Sequence, residues 1–137
     1  MSTLLTSAEY QNILNYDAEQ RLRYSLEKII EHQTLWILID EHGSVMLNTD
    51  DEDCVPVWPL KEFAEAWATG EWQNCQAEAI SFAKWKSRWT LGLIEDDLSL
   101  VIFPNEQEEG LVLFPDEFEQ ELMKKATKFN KVKTKRL

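Results

Sequence analysis

The sequence predicts a single-domain α+β protein with a mainly antiparallel sheet of about five strands and helices packed on it. Three observations carry this expectation. Helical and strand-like apolar periods alternate along the chain in the order α, ββ, α, β, α, ββ, α. Two strand pairs are joined by short polar segments, which marks hairpins, and hairpins build antiparallel sheets. A length of 137 residues with 44% apolar residues suits one hydrophobic core rather than two.

Each element has its own local reason. Across residues 7–32, Ile13, Leu14, Ala18, Leu22, Leu26, Ile29 and Ile30 recur at helical spacing. Thr6 with Glu9 has capping-box spacing, and Asp17 with Gln20 offers a second start, so the stretch fits one helix or two. LWILID (residues 35–40) reads as a buried strand. Glu41-His42-Gly43-Ser44 is a turn, and VMLN returns as the second strand of a hairpin. Asp50, Asp51, Glu52 and Asp53 form an acidic loop. Cys54 to Pro59 is expected to be extended, because each proline restricts the residue before it. Pro59 suits the first turn of a helix whose apolar face is Leu60, Phe63, Ala64 and Trp67, with Gly70 ending it. Residues 75–80 make a third strand, and Ser81 caps a short helix bearing Phe82, Trp85 and Trp89. LSLVIF (98–103) and GLVLF (110–114) are two further strands joined by Pro104 to Glu109. Pro115, Asp116 and Glu117 open the last helix, and Lys124 and Lys125 close it in the sense that the helix dipole favours.

Charge divides the chain unevenly. The formal net charge is −11. Residues 124–137 contain six Lys, one Arg and no acid, so the tail carries +7 and the body, residues 1–123, carries −18. The expected organisation is therefore one α+β domain over 1–123, with a basic C-terminal tail, 124–137, continuing from the last helix. An acidic body repels nucleic-acid phosphate and anionic lipid, so neither is expected as its partner. No run approaches the ~18 apolar residues of a membrane span. The first residues, MSTLLTSAEY, lack the features of a signal peptide. Cys54 and Cys75 are far from CxxC spacing. A reducing cytoplasm is the expected setting.

The segment VPVWPLKEFAEAW, Trp36 ahead of the first hairpin, and Phe103-Pro104-Asn105 together resemble a family of small bacterial proteins, domain of unknown function 2750. The resemblance covers about residues 18–123. It implies a bacterial, soluble protein and supplies neither an activity nor catalytic residues.

Chemistry-bearing motifs are few. The four glycines form no GxGxxG or P-loop, and no GxSxG occurs. His32 and His42 have no metal-ligand partner at a suitable spacing. No catalytic residue, metal or cofactor is expected, and nothing here argues for an enzyme. Candidate binding residues are Asp50, Asp51, Glu52, Asp53, Trp58 and Asn105. Trp58 stands between Pro56 and Pro59 at a strand-to-helix turn, either as an inward staple or as an exposed aromatic anchor. The local sequence favours the staple, since Leu60 and Phe63 begin an apolar face just beyond. Trp36, Trp67 and Trp85 are expected to point inward. If the acids at 50–53, 95–97 and 106–109 share one rim, they present an acidic surface to a basic protein. The leading functional expectation is thus a protein-binding module with an acidic, Trp-containing surface. The alternatives are a small-molecule or enzymatic pocket near Trp58 and Phe103–Asn105, and a nucleic-acid-mimicking inhibitor.

Overall fold

The computed structural model describes residues 6–49 and 52–135. It is an α+β domain. Two capped helices open it: α1 (Ser7–Leu14) and α2 (Ala18–His32). Both predicted capping boxes form. The Glu9 N–H donates to Thr6 Oγ1 at 3.1 Å and the Gln20 N–H to Asp17 Oδ1 at 2.8 Å, each side chain being met reciprocally. The break between the helices therefore lies at the second cap. Gln33, in the left-handed conformation at φ 56°, ends α2 without a glycine.

Among the described residues, seven strands follow: β1 (Thr34–Asp40), β2 (Gly43–Ser44), β3 (Leu47–Thr49), β4 (Glu52–Val57), β5 (Gln76–Ser81), β6 (Ser99–Ile102) and β7 (Leu111–Leu113). They form two sheets, ordered β2-β1-β5 and β3-β4-β6-β7, where the sequence suggested one of about five strands. The reason is visible at Val45 and Met46. The returning strand of the first hairpin pairs with β1 only through Gly43 and Ser44, and the Val45 N–H still donates to Leu38 O at 2.9 Å. The chain then crosses over, and Leu47 pairs with Cys54 in the other sheet. Among the described residues the sheets meet at one antiparallel bridge, Trp36 to Trp58, bonded in both directions at 2.9 and 3.0 Å.

All pairings are antiparallel except β4 with β6, which run parallel in the register Cys54↔Ser99 to Val57↔Ile102. The chain between them makes a long crossover through α3 (Lys61–Trp67), a 3₁₀ turn (Gly70–Trp72), β5, α4 (Phe82–Lys84), a π-helical turn (Trp85–Trp89) and α5 (Thr90–Glu95), as parallel pairing requires. Pro56 is tolerated inside β4 because Val57 O accepts from Phe103 N at 2.7 Å. Alternation then turns Pro56 to the other edge, where β3 has already ended.

The core lies between the sheets and the helices. Every residue of β6 is buried, consistent with the apolar run Leu100, Val101 and Ile102 that follows Ser99. Ile29, Leu35, Ile37, Trp58, Phe63, Trp85, Phe118 and Leu122 are all buried with it. Of the tryptophans expected to point inward, Trp85 is fully buried, while Trp36 and Trp67 are half-buried against the core. The last helix, α6 (Pro115–Lys135), does not stop at Lys124 and Lys125 but runs ten residues beyond Lys125. No Gly or Pro interrupts residues 124–135, so nothing there breaks the helix once its apolar face is anchored. Among the described residues, no helix is long and apolar enough to cross a membrane.

Candidate functional site

The parallel pair β4 and β6 has two ends, and the sequence-predicted site residues divide between them. At the amino ends sit Glu52 and Asp53; Asp50 and Asp51 lie outside the described residues. Ser99, opposite Cys54 in the ladder, donates its hydroxyl to Glu52 Oε1 at 3.0 Å, and Asn48 Nδ2 donates to Asp53 Oδ1 at 3.2 Å. Asp97 enters from the α5–β6 turn in the left-handed conformation, φ 58°, which Asp tolerates better than most residues. Asp116 enters from the first turn of α6. These four carboxylates line a concavity of about 320 Å3 together with Ile94 and Phe114. Both apolar side chains are exposed, at 47% and 56%. Two of the three acidic segments thus converge. The third, Glu106 to Glu109, lies beyond the opposite ends of the strands, where Glu106 and Glu108 line a separate hollow with Trp67 and Trp72. Among the described residues, no group of three or more His, Cys, Asp or Glu is placed to hold a metal ion.

At the carboxyl ends of β4 and β6 lie Trp58 and Phe103-Pro104-Asn105. Trp58 is 0% exposed, an inward wedge with its ring 5.3 Å from that of Trp67. Asn105 is occupied within its own loop. Its Oδ1 accepts from the backbone N–H groups of Gln107 and Glu109 at 2.9 and 3.0 Å, and its carbonyl accepts from Trp67 Nε1 at 2.8 Å. Phe103 adopts φ 50°, a conformation unfavourable for a bulky side chain. The strand thus turns sharply, and Gly110 passes so close that a Cβ there would meet Ile102 O at 2.8 Å.

The residue that organises this end was not foreseen. Arg21 is 4% exposed and buries its guanidinium beneath the turn. It donates to the carbonyls of Tyr16 (3.1 Å), Leu14 (2.9 Å), Phe103 (3.0 Å) and Pro104 (3.3 Å), and it lies 4.4 Å from the Phe103 ring centroid. Burial lowers its pKa from the ordinary arginine value, yet a guanidinium stays protonated in a protein. The carbonyls it meets include those at the negative end of α1, which partly compensate the charge. A sequence signal existed: Arg21 and Ser25 precede Ile29 at intervals of four, on the buried face of α2. Around Arg21 opens a cleft of about 390 Å3 whose aromatic lining includes Tyr10, Tyr16, Phe63, Trp67 and Phe103. Tyr10 and Phe63 stack at 5.2 Å, and Phe63 packs on Phe103 at 4.9 Å. Behind them, burial pushes the Tyr24 hydroxyl up to about 12, with nearby Glu62 adding to the shift.

The acid run and the Pro-framed tryptophan therefore do not make one surface. They are separated by the length of β4, six residues, or roughly 17–20 Å. No curated protein matches the chain. A family described as "Protein of unknown function (DUF2750)" matches residues 22–122, a span that holds both ends of the β4–β6 pair and begins one residue after Arg21.

Proposed function

The chain belongs to the DUF2750 family, whose description names no activity, and we propose that it is a protein-binding module that takes a basic, partly apolar segment of another protein. The observation that carries this reading is the convergence of Glu52, Asp53, Asp97 and Asp116, from three separate parts of the chain, around exposed Ile94 and Phe114. Exposed apolar side chains rimmed by charge are characteristic of protein contacts. The acids attract and orient a cationic segment, and the apolar pair supplies the area that holds it. The chain's charge of −11 favours fast encounter with such a partner. The same reading puts the protein in a bacterial cytoplasm, on the support of its cysteine usage and its family resemblance.

The test is fluorescence anisotropy with a labelled peptide carrying four lysines around one phenylalanine. Binding is expected at low salt and weakens as salt rises. The double variant Asp97→Asn/Asp116→Asn, which keeps side-chain size and suits the left-handed backbone at 97, is expected to lose about tenfold in affinity. Phe114→Ala is expected to weaken binding without altering stability, because the side chain is exposed. An unchanged affinity in both variants overturns the reading.

A further inference from the structure

The cleft at the carboxyl ends of β4 and β6 has its own recognition chemistry, distinct from the acidic concavity. Its volume, about 390 Å3, falls in the range of small-molecule sites. Tyr10, Phe63 and Trp67 give it flat, aromatic walls. Its inner end holds Arg21, and among the described residues no carboxylate forms an ion pair with this buried cation. A guanidinium has five N–H donors and no acceptor. Four of them meet the carbonyls of Leu14, Tyr16, Phe103 and Pro104, and one, on Nη2, remains. Trp58 shares the lining, and its buried Nε1–H has no hydrogen-bond partner among the described residues. Indole nitrogen also only donates. The N–H of Arg21 that remains therefore lacks an acceptor, and the charge of Arg21 calls for a negative one.

We propose that the cleft binds a small aromatic carboxylate, with the carboxylate toward Arg21 and the ring among Tyr10, Phe63 and Trp67. A cationic ligand would place its charge against Arg21. A neutral amide offers an acceptor but forgoes the ionic attraction. Among the described residues, Glu106 is the one acid in the lining, and its exposed side chain opposes the entry of an anion. Trp58 has no exposed surface, so its indole N–H senses a bound ligand from just behind the wall.

The experiment is a titration of the full chain with benzoate, benzamide and benzylammonium, followed by the indole N–H resonances of the six tryptophans. Benzoate is expected to shift the Trp58 and Trp67 signals saturably, with an affinity about tenfold above that of benzamide. Benzylammonium is expected to leave both signals in place. Glu106→Gln, an exposed change that leaves the fold alone, is expected to tighten benzoate about two- to threefold and benzamide not at all. Arg21→Gln, if circular dichroism shows it folded, is expected to abolish the preference for benzoate over benzamide. The ligand series and Glu106→Gln decide the matter even if Arg21→Gln does not fold. The proposal is overturned if about 10 mM benzoate, well above a fragment's millimolar affinity, moves neither signal. Equal binding of benzamide or benzylammonium also overturns it. So does binding of an N-acetylated dipeptide with a free C-terminal phenylalanine in place of benzoate, which assigns the cleft to peptide ends. None of these outcomes bears on the acidic concavity at the other end of the strands.

Discussion

At Trp58 a single side chain joins the two sheets. Its backbone is bonded to Trp36 in both directions, and its ring is enclosed beside Trp67. Pro56 and Pro59 on either side restrict the backbone that aims it. Removing the ring leaves a cavity that neighbours held by two sheets fill only in part. Trp58→Ala is therefore expected to lower stability by about 3–5 kcal/mol, measured by urea denaturation. Trp58→Phe retains most of the packing and deletes an N–H with no partner among the described residues, so its loss should be clearly smaller. A wild-type midpoint for Trp58→Ala would contradict the wedge. Trp58 was legible because its causes lie within a few residues of it. Arg21 was not, because its defining bond runs to Phe103, 82 residues away. In the sequence its spacing to Ser25 and Ile29 hints at a buried face, but nothing there points to Phe103.

Helix α6 shows the same contrast in an element. Its start is local: Pro115 leads, Asp116 and Glu117 occupy the first turn, and Glu117 Oε1 accepts from the Phe114 N–H at 2.9 Å. Its anchorage is apolar, through buried Phe118 and Leu122 and half-buried Ala126. Residues 127–130 are exposed. A change from apolar to basic composition at Lys124 invites the expectation of an end there, yet lysine is a good helix former and an anchored helix propagates easily. Deleting residues 128–137 is expected to remove about two turns of helix, seen as lost far-UV ellipticity. The melting temperature should fall by less than about 5 °C, since little apolar surface is uncovered. A larger fall would mean that this part of the chain supports the fold directly.

Over the whole molecule, electrostatic repulsion sets the balance. Most of the ion pairs among the described residues are short-range and well exposed, such as Arg23–Glu19 at 3.4 Å and Lys124–Glu121 at 3.6 Å. Pairs of this kind contribute little, whereas a net charge of −11 repels itself throughout the fold. Screening should therefore relieve more repulsion than attraction. Raising NaCl from about 10 to about 300 mM, which shortens the screening length from roughly 30 to 6 Å, is expected to raise the melting temperature by a few degrees, on the order of 1 kcal/mol. A fall in thermal scans would show that attractive pairs dominate instead.

The sequence by itself determined what depends on neighbours within a turn or a strand. Thr6 with Glu9 and Asp17 with Gln20 placed two helix starts, Ser81 placed a third, and the mostly apolar run at 98–103 marked a strand. Those signals are local because capping and periodicity act over three or four residues. Only the tertiary structure decided that the hairpin strand splits between two sheets, that β4 and β6 run parallel, and that α6 continues past Lys125. It alone brought Glu52 and Asp53 to Asp97 and Asp116, and set Arg21 under Phe103. Each of these depends on the free energy of packing segments tens of residues apart, and periodicity along the chain carries no record of which segments will meet.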